Sequence, residues 1–418
     1  MSQLKFEGHS YVQINEIRIN SLVSNKTIDI TRLVDKLNIY ESLFDPTIIG
    51  EIHLTDPTGL LYDLPLLGEE FLFISFNSPK AKPFEKTFWV HKVPHVERDS
   101  SMQKHHLTLS FSSIEQLRGI TTMIDRGFRG TLSNAVKDIF DRDLKTSKKL
   151  VVEQTKGVET IIIPTWNIFD TIEFIRHRAV SDKYHSPYVF FEDHDAFNFM
   201  SIEYLIDTKR SANNIVKFTS VPFSPEAGEN PAKSTLLSNQ YRNVENFHIT
   251  KKSDTASLIN SGGLSSRTQI FDLFEKKMKN VDMDYKEFAN NVVKRPIDDK
   301  YNSQHSDMLA GMIDVPIIRY TIGYDKYNPS AYHENFNKRT MFAKQLNDIS
   351  VSFICYGDSE LNVGDVIYIQ IPRVSQAPND DSQLTGNYII SRLQHTIDDT
   401  NLFTTVEANR LGHAEKVT

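Results

Sequence analysis

The feature that most constrains this chain is an internal repeat. Residues 67–75 and residues 363–371 both read as an apolar residue, a glycine, an acidic residue and then a run with the alternation of a β-strand. Residues 88–95 and 388–395 both begin with an aromatic residue and carry a basic residue, an apolar residue and a histidine at matching positions. A third alternating run follows in each copy. Because the features keep the same order over three strands, the sequence predicts two similar β-units in one chain.

Composition limits the class of protein. The chain has 418 residues, of which 39% are apolar and 24% are charged, so we expect a soluble protein of about two to four domains with sizeable cores. It carries 47 basic and 54 acidic residues, a net charge of −7. This balance argues against a protein that grips nucleic acid, because binding to phosphates needs clustered lysine and arginine. It is compatible with a surface that nucleic acid passes without sticking.

Redox and targeting signals are few. Cys355 is the only cysteine, which rules out a disulfide within this chain, and its apolar neighbours predict a small core residue. The polar N-terminus is unlike a signal peptide, and no apolar run approaches the ~20 residues that a membrane helix needs. We therefore expect a protein that is made in a cytoplasm and has no membrane segment.

Turn signals and changes of hydrophobic period divide the chain into segments. The predicted fold class is α+β, mainly β, with two similar antiparallel β-barrel domains and α/β insertions. The predicted segments are a first β-barrel domain (1–125), an α/β insertion domain (126–235), a second β-barrel domain (236–260 with 350–412), a helical or loop insertion between its two parts (261–349) and a short tail (413–418).

Several local patterns make sharper predictions. Pro94 cannot donate to a strand ladder, which places it at an edge or a bulge. Asn167 can cap a helix that begins directly after it, and residues 188–200 read as a β-hairpin. In the second insertion two sets of apolar residues follow helical spacing, the second set more loosely: Ile270, Phe271, Phe274 and Met278, then Phe336, Met341 and Leu346.

Motifs of catalysis are scarce. The chain has no phosphate loop and no GxGxxG, GxSxG or HExxH motif, so the sequence predicts no enzyme and no cofactor. The densest ligand-like cluster is Glu-Asp-His-Asp at residues 192–195. In a hairpin turn these side chains point apart, so a metal site is not predicted there. A short basic run at residues 145–149 is expected to be a solvated loop.

The order of these features resembles the central baseplate hub protein of contractile-tailed phages of the T-even kind, and the matching part of VgrG-type spikes. The resemblance covers most of the chain, and it depends on the order of several stretches rather than on one signature. Those stretches are Leu43-Phe44 and Gly68-Glu69 in the first unit, Pro164 to Trp166 at a helix start, residues 188–193, and residues 361–365 with 388–395 in the second unit.

The resemblance implies a homotrimer in a virion tail. Each subunit would contribute two similar, tail-tube-like barrels to a ring, so that three subunits mimic six-fold symmetry. Such a hub joins the tail tube protein above to a central spike protein below, contacts baseplate wedge proteins, and forms a channel for DNA passage without sequence-specific binding.

Four matched polar residues are candidates for a role in such an assembly. Lys92 corresponds to Arg392, and His95 corresponds to His395, in the two copies. We expect some of these four side chains to face a neighbouring subunit or the lumen of the ring.

Two other functions fit a tail protein. One is a tail-associated cell-wall hydrolase that uses a carboxylate pair, whose separation in space the sequence does not reveal. The other is a carbohydrate-binding tail module, which would need exposed aromatic platforms. The sequence predicts instead that both tryptophans, Trp89 and Trp166, are buried.

Overall fold

The computed structural model of the protein is mainly β and contains large antiparallel sheets. It describes residues 11–57, 59, 66–78, 83–98, 104–211, 215–219, 244–252, 265–272, 276–284, 316–317, 322–323, 331–346, 349–357, 359–373, 380–381 and 384–410.

The elements fall into three groups along the chain. The first repeat contains β1 (Gln13–Ser21), β2 (Lys26–Asp29), a 3-10 turn (Thr31–Leu33), β3 (Val34–Ser42), β4 (Ile49–Asp56), β5 (Phe71–Asn77), β6 (Phe84–Arg98) and β7 (His105–Ser113). The first insertion contains α1 (Ile114–Thr121), β8 (Met123–Gly130), α2 (Leu132–Ile139), a π-helical turn (Phe140–Leu144), β9 (Lys149–Val152), β10 (Glu159–Asn167), α3 (Ile168–Arg178), β11 (Tyr188–Glu192), β12 (Ala196–Ser201) and α4 (Ile202–Ser211). The remainder contains β13 (Val216–Thr219), β14 (Glu245–Lys252), β15 (Ser265–Asp272), β16 (Lys277–Asp284), β17 (Pro316–Ile317), β18 (Ile322–Gly323), α5 (Ala331–Leu346), β19 (Ile349–Tyr356), β20 (Val366–Gln370), β21 (Gly386–Asp398) and β22 (Asn401–Arg410).

The two repeats have the same strand order. Hydrogen-bonded neighbours run β5-β6-β7-β4-β3 in the first repeat and β20-β21-β22-β19-β14 in the second. Every one of these pairs is antiparallel. The match therefore extends from the three strands predicted from sequence to five, and the predicted mainly-β fold with two similar units is confirmed.

One sheet contains both repeats. Strand β21 of the second repeat pairs antiparallel with β3 of the first, so that the units are joined edge to edge in a sheet of 13 strands. In the described residues the main path of this sheet runs from β14 at one end to β2 at the other. Closure of either unit into a barrel stays a prediction.

The hairpin of β11 and β12 lies between two apolar cores. Every residue of β11 is buried. Tyr188 and Phe190 belong to the core of the first insertion, whereas Val189 and Phe191 belong to the core of the second repeat. Because successive side chains of a strand point to opposite faces, one short strand serves both cores. The hairpin predicted at residues 188–200 is confirmed.

The helix predicted over Ile270, Phe271, Phe274 and Met278 is wrong. Ile270 and Phe271 lie in β15 and Met278 lies in β16, and these strands pair antiparallel. Phe274 lies outside the described residues. A few apolar residues in nine positions fit either period, so spacing alone could not separate a helix from two strands. The second set, Phe336, Met341 and Leu346, does lie in a helix, α5.

Two local predictions are confirmed. The ladder of β6 with β7 is irregular between Lys92 and His95, which places Pro94 in a bulge. The side chain of Asn167 accepts a hydrogen bond from the backbone N–H of Asp170 at 2.8 Å and so caps α3.

Alanine at two matched glycines should destabilise the protein. Gly68 and Gly364 both have φ of +84°, a region that favours glycine. A Cβ at Gly364 would also lie 2.7 Å from Leu205 Cδ2, whereas at Gly68 the nearest atom would be 3.3 Å away. We expect each alanine to lower the free energy of unfolding by about 1–2 kcal/mol, with the larger loss at Gly364. Urea titration measures this.

Gly127 is the matched control for these two substitutions. A Cβ there would meet its nearest atom at 3.6 Å, an ordinary contact, so Gly127→Ala should change stability little. Equal effects at all three positions would contradict the assigned backbone conformations.

Candidate functional site at the junction of the two repeats

The strands β21 and β3 form the joint between the repeats. In their register Arg392 lies opposite Ser42 and His395 opposite Ile39. On the face away from the cores, Asn38 accepts a hydrogen bond from Thr396 Oγ1 at 2.9 Å. Backbone pairing and side-chain contacts therefore hold residues from the two ends of the chain together.

A buried ion-pair network lies beside this joint. The side chain of Glu192, at the end of β11, is inaccessible to solvent, and Lys148 Nζ lies 2.6 Å from its Oε1. The same Lys148 Nζ lies 2.7 Å from Oε2 of Glu115. The backbone N–H of Ile48 donates to the other oxygen of Glu192 at 3.2 Å. Because a buried carboxylate is stable only when paired and hydrogen-bonded, these contacts hold the first insertion against the first repeat.

Glu41 and Lys86 extend this network into the first repeat. Glu41 is 3% exposed, and in the described part of the chain its Oε2 accepts no hydrogen bond. Burial raises the pKa of Glu41 to about 8, so its carboxyl is mostly protonated at neutral pH. Burial also lowers the pKa of Lys86, whose Nζ lies 4.0 Å from Glu192 Oε1. These groups titrate in ranges far from their usual ones because the junction excludes water.

The turn of the β11–β12 hairpin contacts both repeats. Lys86 Nζ, from β6, donates to the backbone carbonyl of Asp193 at 3.5 Å. The backbone N–H of His194 donates to Oδ1 of Asn362, in the turn before β20, at 3.2 Å. The hairpin thus fixes the two repeats relative to each other from one side of the sheet.

The acidic turn at residues 192–195 has the divergent side chains expected of it. Glu192 points into the buried network, and Asp193 Oδ1 accepts hydrogen bonds from the backbone N–H groups of Asp195 and Ala196. The side chain of Asp195 is 82% exposed. Among the described residues no group of three His, Cys, Asp or Glu side chains could hold a metal ion.

The four residues matched from sequence occupy different environments. Lys92 is exposed, and the exposed Arg392 lies 3.4 Å from Glu407. His95 is also exposed. His395 is 6% exposed, and its Nδ1 lies 3.0 Å from Thr404 Oγ1. Burial lowers the pKa of His395 to about 4, so it is neutral at neutral pH. The expectation that His395 faces a neighbour or a lumen is therefore wrong.

The bulge at Pro94 explains why matched histidines have different surroundings. Up to Lys92 the two copies keep step, since Lys92 lies opposite Ser110 as Arg392 lies opposite Glu407. The bulge then adds one residue to β6, and a shift of one residue turns each side chain to the other face. Val96, opposite Leu107, therefore takes the structural place that His395 has opposite Thr404.

Sequence reasoning missed three members of the network. Glu41 continues the alternation of Leu37 and Ile39, both buried, so its place on the core face was visible in the sequence. Lys86 stands in the same way between two buried phenylalanines, at 84 and 88. The role of Lys148 had no such signal, because its partner Glu192 is distant in the chain. The expectation of a solvated loop at 145–149 is wrong for this lysine.

The tryptophans differ from expectation in one case. Trp166 is 37% exposed, with its ring 5.3 Å from that of Phe174, so the prediction that it is buried is wrong. Trp89 is partly buried. Of the described helices, none is long and apolar enough to cross a membrane.

Comparison with known proteins gives one relative of defined role. No family model matches the chain. It is 20% identical over 394 residues to the probable baseplate hub protein gp334 of Vibrio phage KVP40, a match that covers 90% of this chain and 89% of that protein. The predicted resemblance to phage baseplate hub proteins is thereby confirmed.

Two solved structures show the same fold. The tail protein of Neisseria meningitidis MC58 matches with a TM-score of 0.54 and 9% identity, covering 96% of each chain. The 43 kDa tail protein of prophage MuSo2 from Shewanella oneidensis matches with a TM-score of 0.53 and 10% identity, covering 94% of this chain and 97% of that one. The mainly-β architecture described above is thus a fold of phage tail proteins.

Replacing Glu41 by glutamine should remove a pH dependence of stability. The folded-state pKa of Glu41, about 8, lies above its ordinary value of 4.5, so the folded protein holds this proton more tightly than the unfolded chain does. This contribution is fully present below about pH 4.5 and is lost as the pH rises through 8. The E41Q variant lacks this loss, so its melting temperature should exceed that of the unmodified protein increasingly from pH 5 to pH 8.

Thermal melts at closely spaced pH values test this, with Glu51→Gln as the control. Glu51 lies on the neighbouring strand β4 and is partly exposed. Parallel curves for E41Q and the unmodified protein would show that the Glu41 carboxyl is not buried as described.

Proposed function

We propose that this chain is a non-enzymatic structural hub of a phage tail baseplate, in which three copies form a ring that joins the tail tube to the central spike. The similarity of 90% of the chain to a baseplate hub protein supports the baseplate role. The observation that carries the ring is the pairing of β21 with β3, in which two repeats associate edge to edge.

The duplication suits an assembly of three subunits around an axis. Two similar units per chain let a three-fold assembly present six nearly equivalent positions. A contact between unlike edges closes into a ring when the rotation per unit fits, and otherwise gives an open filament. The partners in this role are a tail tube protein on one side of the ring, a central spike protein on the other, and baseplate wedge proteins around it.

The polar face of the joined sheet suits the wall of a DNA channel. Residues on this face carry mostly hydroxyl, amide or acidic groups: Asn38, Glu51, Ser110, Ser352, Gln394, Thr396, Thr405 and Glu407. The basic Arg392 is paired with Glu407. A wall without clustered free cations lets DNA pass, because tight retention of phosphates needs such clusters.

The mass of the purified protein tests the ring. We expect light scattering after gel filtration to give three times the chain mass of 48.0 kDa, and negative-stain class averages to show a central hole. The same measurement with the spike protein added covers a hub that assembles only on its spike. A protein that stays monomeric in both conditions would contradict the proposal.

Lysines on the polar face should make the channel retain DNA. In the trimer, Ser110→Lys with Thr405→Lys would place new cations in the lumen, and we expect salt-sensitive retention of linear DNA in a filter-binding assay. The control is Thr160→Lys, on the exposed side of β10 in the first insertion. Equal retention by the control would show that the polar face does not line the channel.

An assay for clearing of bacterial cell walls separates this role from that of a hydrolase. We expect no clearing by the purified protein, alone or with the spike. Clearing that survives replacement of contaminating activity by repeated purification would overturn the non-enzymatic part of the proposal.

A further inference from the structure

Two strand edges of the joined sheet are open in the described part of the chain. Along β6, β5 pairs only with residues 84–89, so residues 90–98 have β7 on one side and no strand on the other. Strand β14 pairs with β19 alone. An open edge presents unpaired backbone N–H and C=O groups, which is a template for another strand.

The repeat relates these two open edges to the joint that is already formed. Strand β6 holds the place in the first repeat that β21 holds in the second, and β14 holds the place of β3. Since β21 pairs with β3 inside the chain, β6 and β14 are counterparts of strands that pair. They lie at opposite ends of the run β14-β19-β22-β21-β3-β4-β7-β6 and belong to one chain, so they can meet only between copies.

We propose that the edge of β6 pairs antiparallel with β14 of a second copy, in the register that β21 and β3 have within the chain. This inference rests on the proposed ring and names the surface that closes it. It also assigns roles to the matched residues: Arg392 and His395 lie at the joint inside the chain, and Lys92 and His95 lie at the edge that joins the next subunit.

The register follows from the ladders of the two repeats. Within the chain, His395 lies opposite Ile39. Val96 is the structural counterpart of His395, as the bulge in β6 requires. The counterpart of Ile39 is Ile249, because Ile39 lies opposite Gly50 as Ile249 lies opposite Val351.

The positions of Gly50 and Val351 are themselves equivalent. Gly50 lies opposite Phe111, and Val351 lies opposite Ala408. Phe111 in turn faces Val90, and Ala408 faces Ile390, at matched positions of β6 and β21. Carried across the subunit boundary, this register places Val96 opposite Ile249.

The side chains brought together are complementary. Val96 is 50% exposed and Ile249 is 41% exposed, and both are among the large apolar side chains that the single chain leaves in water. Pairing would cover them with each other. One position further along, Thr396 opposite Asn38 becomes Glu97 opposite His248, an acid beside a base. Such directly opposite pairs stabilise a sheet.

A disulfide between copies tests the register. Residues directly opposite in an antiparallel pair have Cα atoms about 4.5–5.5 Å apart, within the range for a disulfide. We expect Val96→Cys with Ile249→Cys to give, on oxidation, reducible species of two and three linked chains on a non-reducing gel. The native Cys355 is buried and should not compete. The control is Val96→Cys with His248→Cys, whose side chains would lie on opposite faces of the sheet.

The outcomes separate the register from the ring. Cross-linking of the Val96–Ile249 variant and not of the control supports the proposal. A trimer by light scattering that cross-links in neither variant, or equally in both, overturns this register and leaves the proposed hub standing. A protein that is monomeric with and without the spike overturns the ring and this interface together.

Exchange of charges gives an independent test. Glu97→Lys would put two basic side chains opposite each other, and we expect the concentration for half-dissociation of the trimer to rise several-fold. Adding His248→Glu should return it towards the starting value. Glu16→Lys, at an exposed position on β1, is the control for charge alone. Failure of the second substitution to rescue the first would show that these residues do not face each other.

Discussion

The pairing of β21 with β3 is the constraint on which the rest of the structure depends. It brings strands from opposite ends of the chain into one ladder and so sets where each repeat lies. The first insertion then packs where this joint is, with its hairpin turn bonded to Lys86 of one repeat and to Asn362 of the other. A strand edge that would otherwise be open to other chains is covered within the molecule.

Buried charge beside the joint contributes orientation more than stability. Removing Glu192, Lys148 and Glu115 from water costs free energy that their ion pairs offset only in part. Apolar contacts alone would tolerate several positions of the hairpin, whereas hydrogen bonds from Lys148 and from the Ile48 N–H are directional. A hub that must present fixed surfaces to a tube and a spike benefits from this rigidity.

One extra residue makes the two copies unlike where it matters for assembly. The bulge at Pro94 turns the alternation of β6, so that Val96 stands at an open edge while its counterpart His395 is buried beside Thr404. The first insertion covers the joint inside the chain, and His194 of its hairpin lies near His395. The copy without such cover keeps an exposed apolar edge. A duplicated unit thereby acquires one internal joint and one outward-facing edge.

The sequence by itself determined the repeat, its strands and several local features. Glycine before an acid, alternation in the strands, the Asn167 cap and the bulge at Pro94 depend on near neighbours, and local physics decides them. Even Glu41 on the core face could be read from its alternation with Leu37 and Ile39.

Only the tertiary structure decided which edges meet and which charges are buried together. The partners Lys148 and Glu192, or His395 and Ile39, are far apart in the chain, and no spacing rule connects them. The face of His95 depended on a one-residue shift against β7, and that shift is a property of two strands rather than one. The strands at 265–284 were misread for the same reason, because their pairing and not their own period selected β structure.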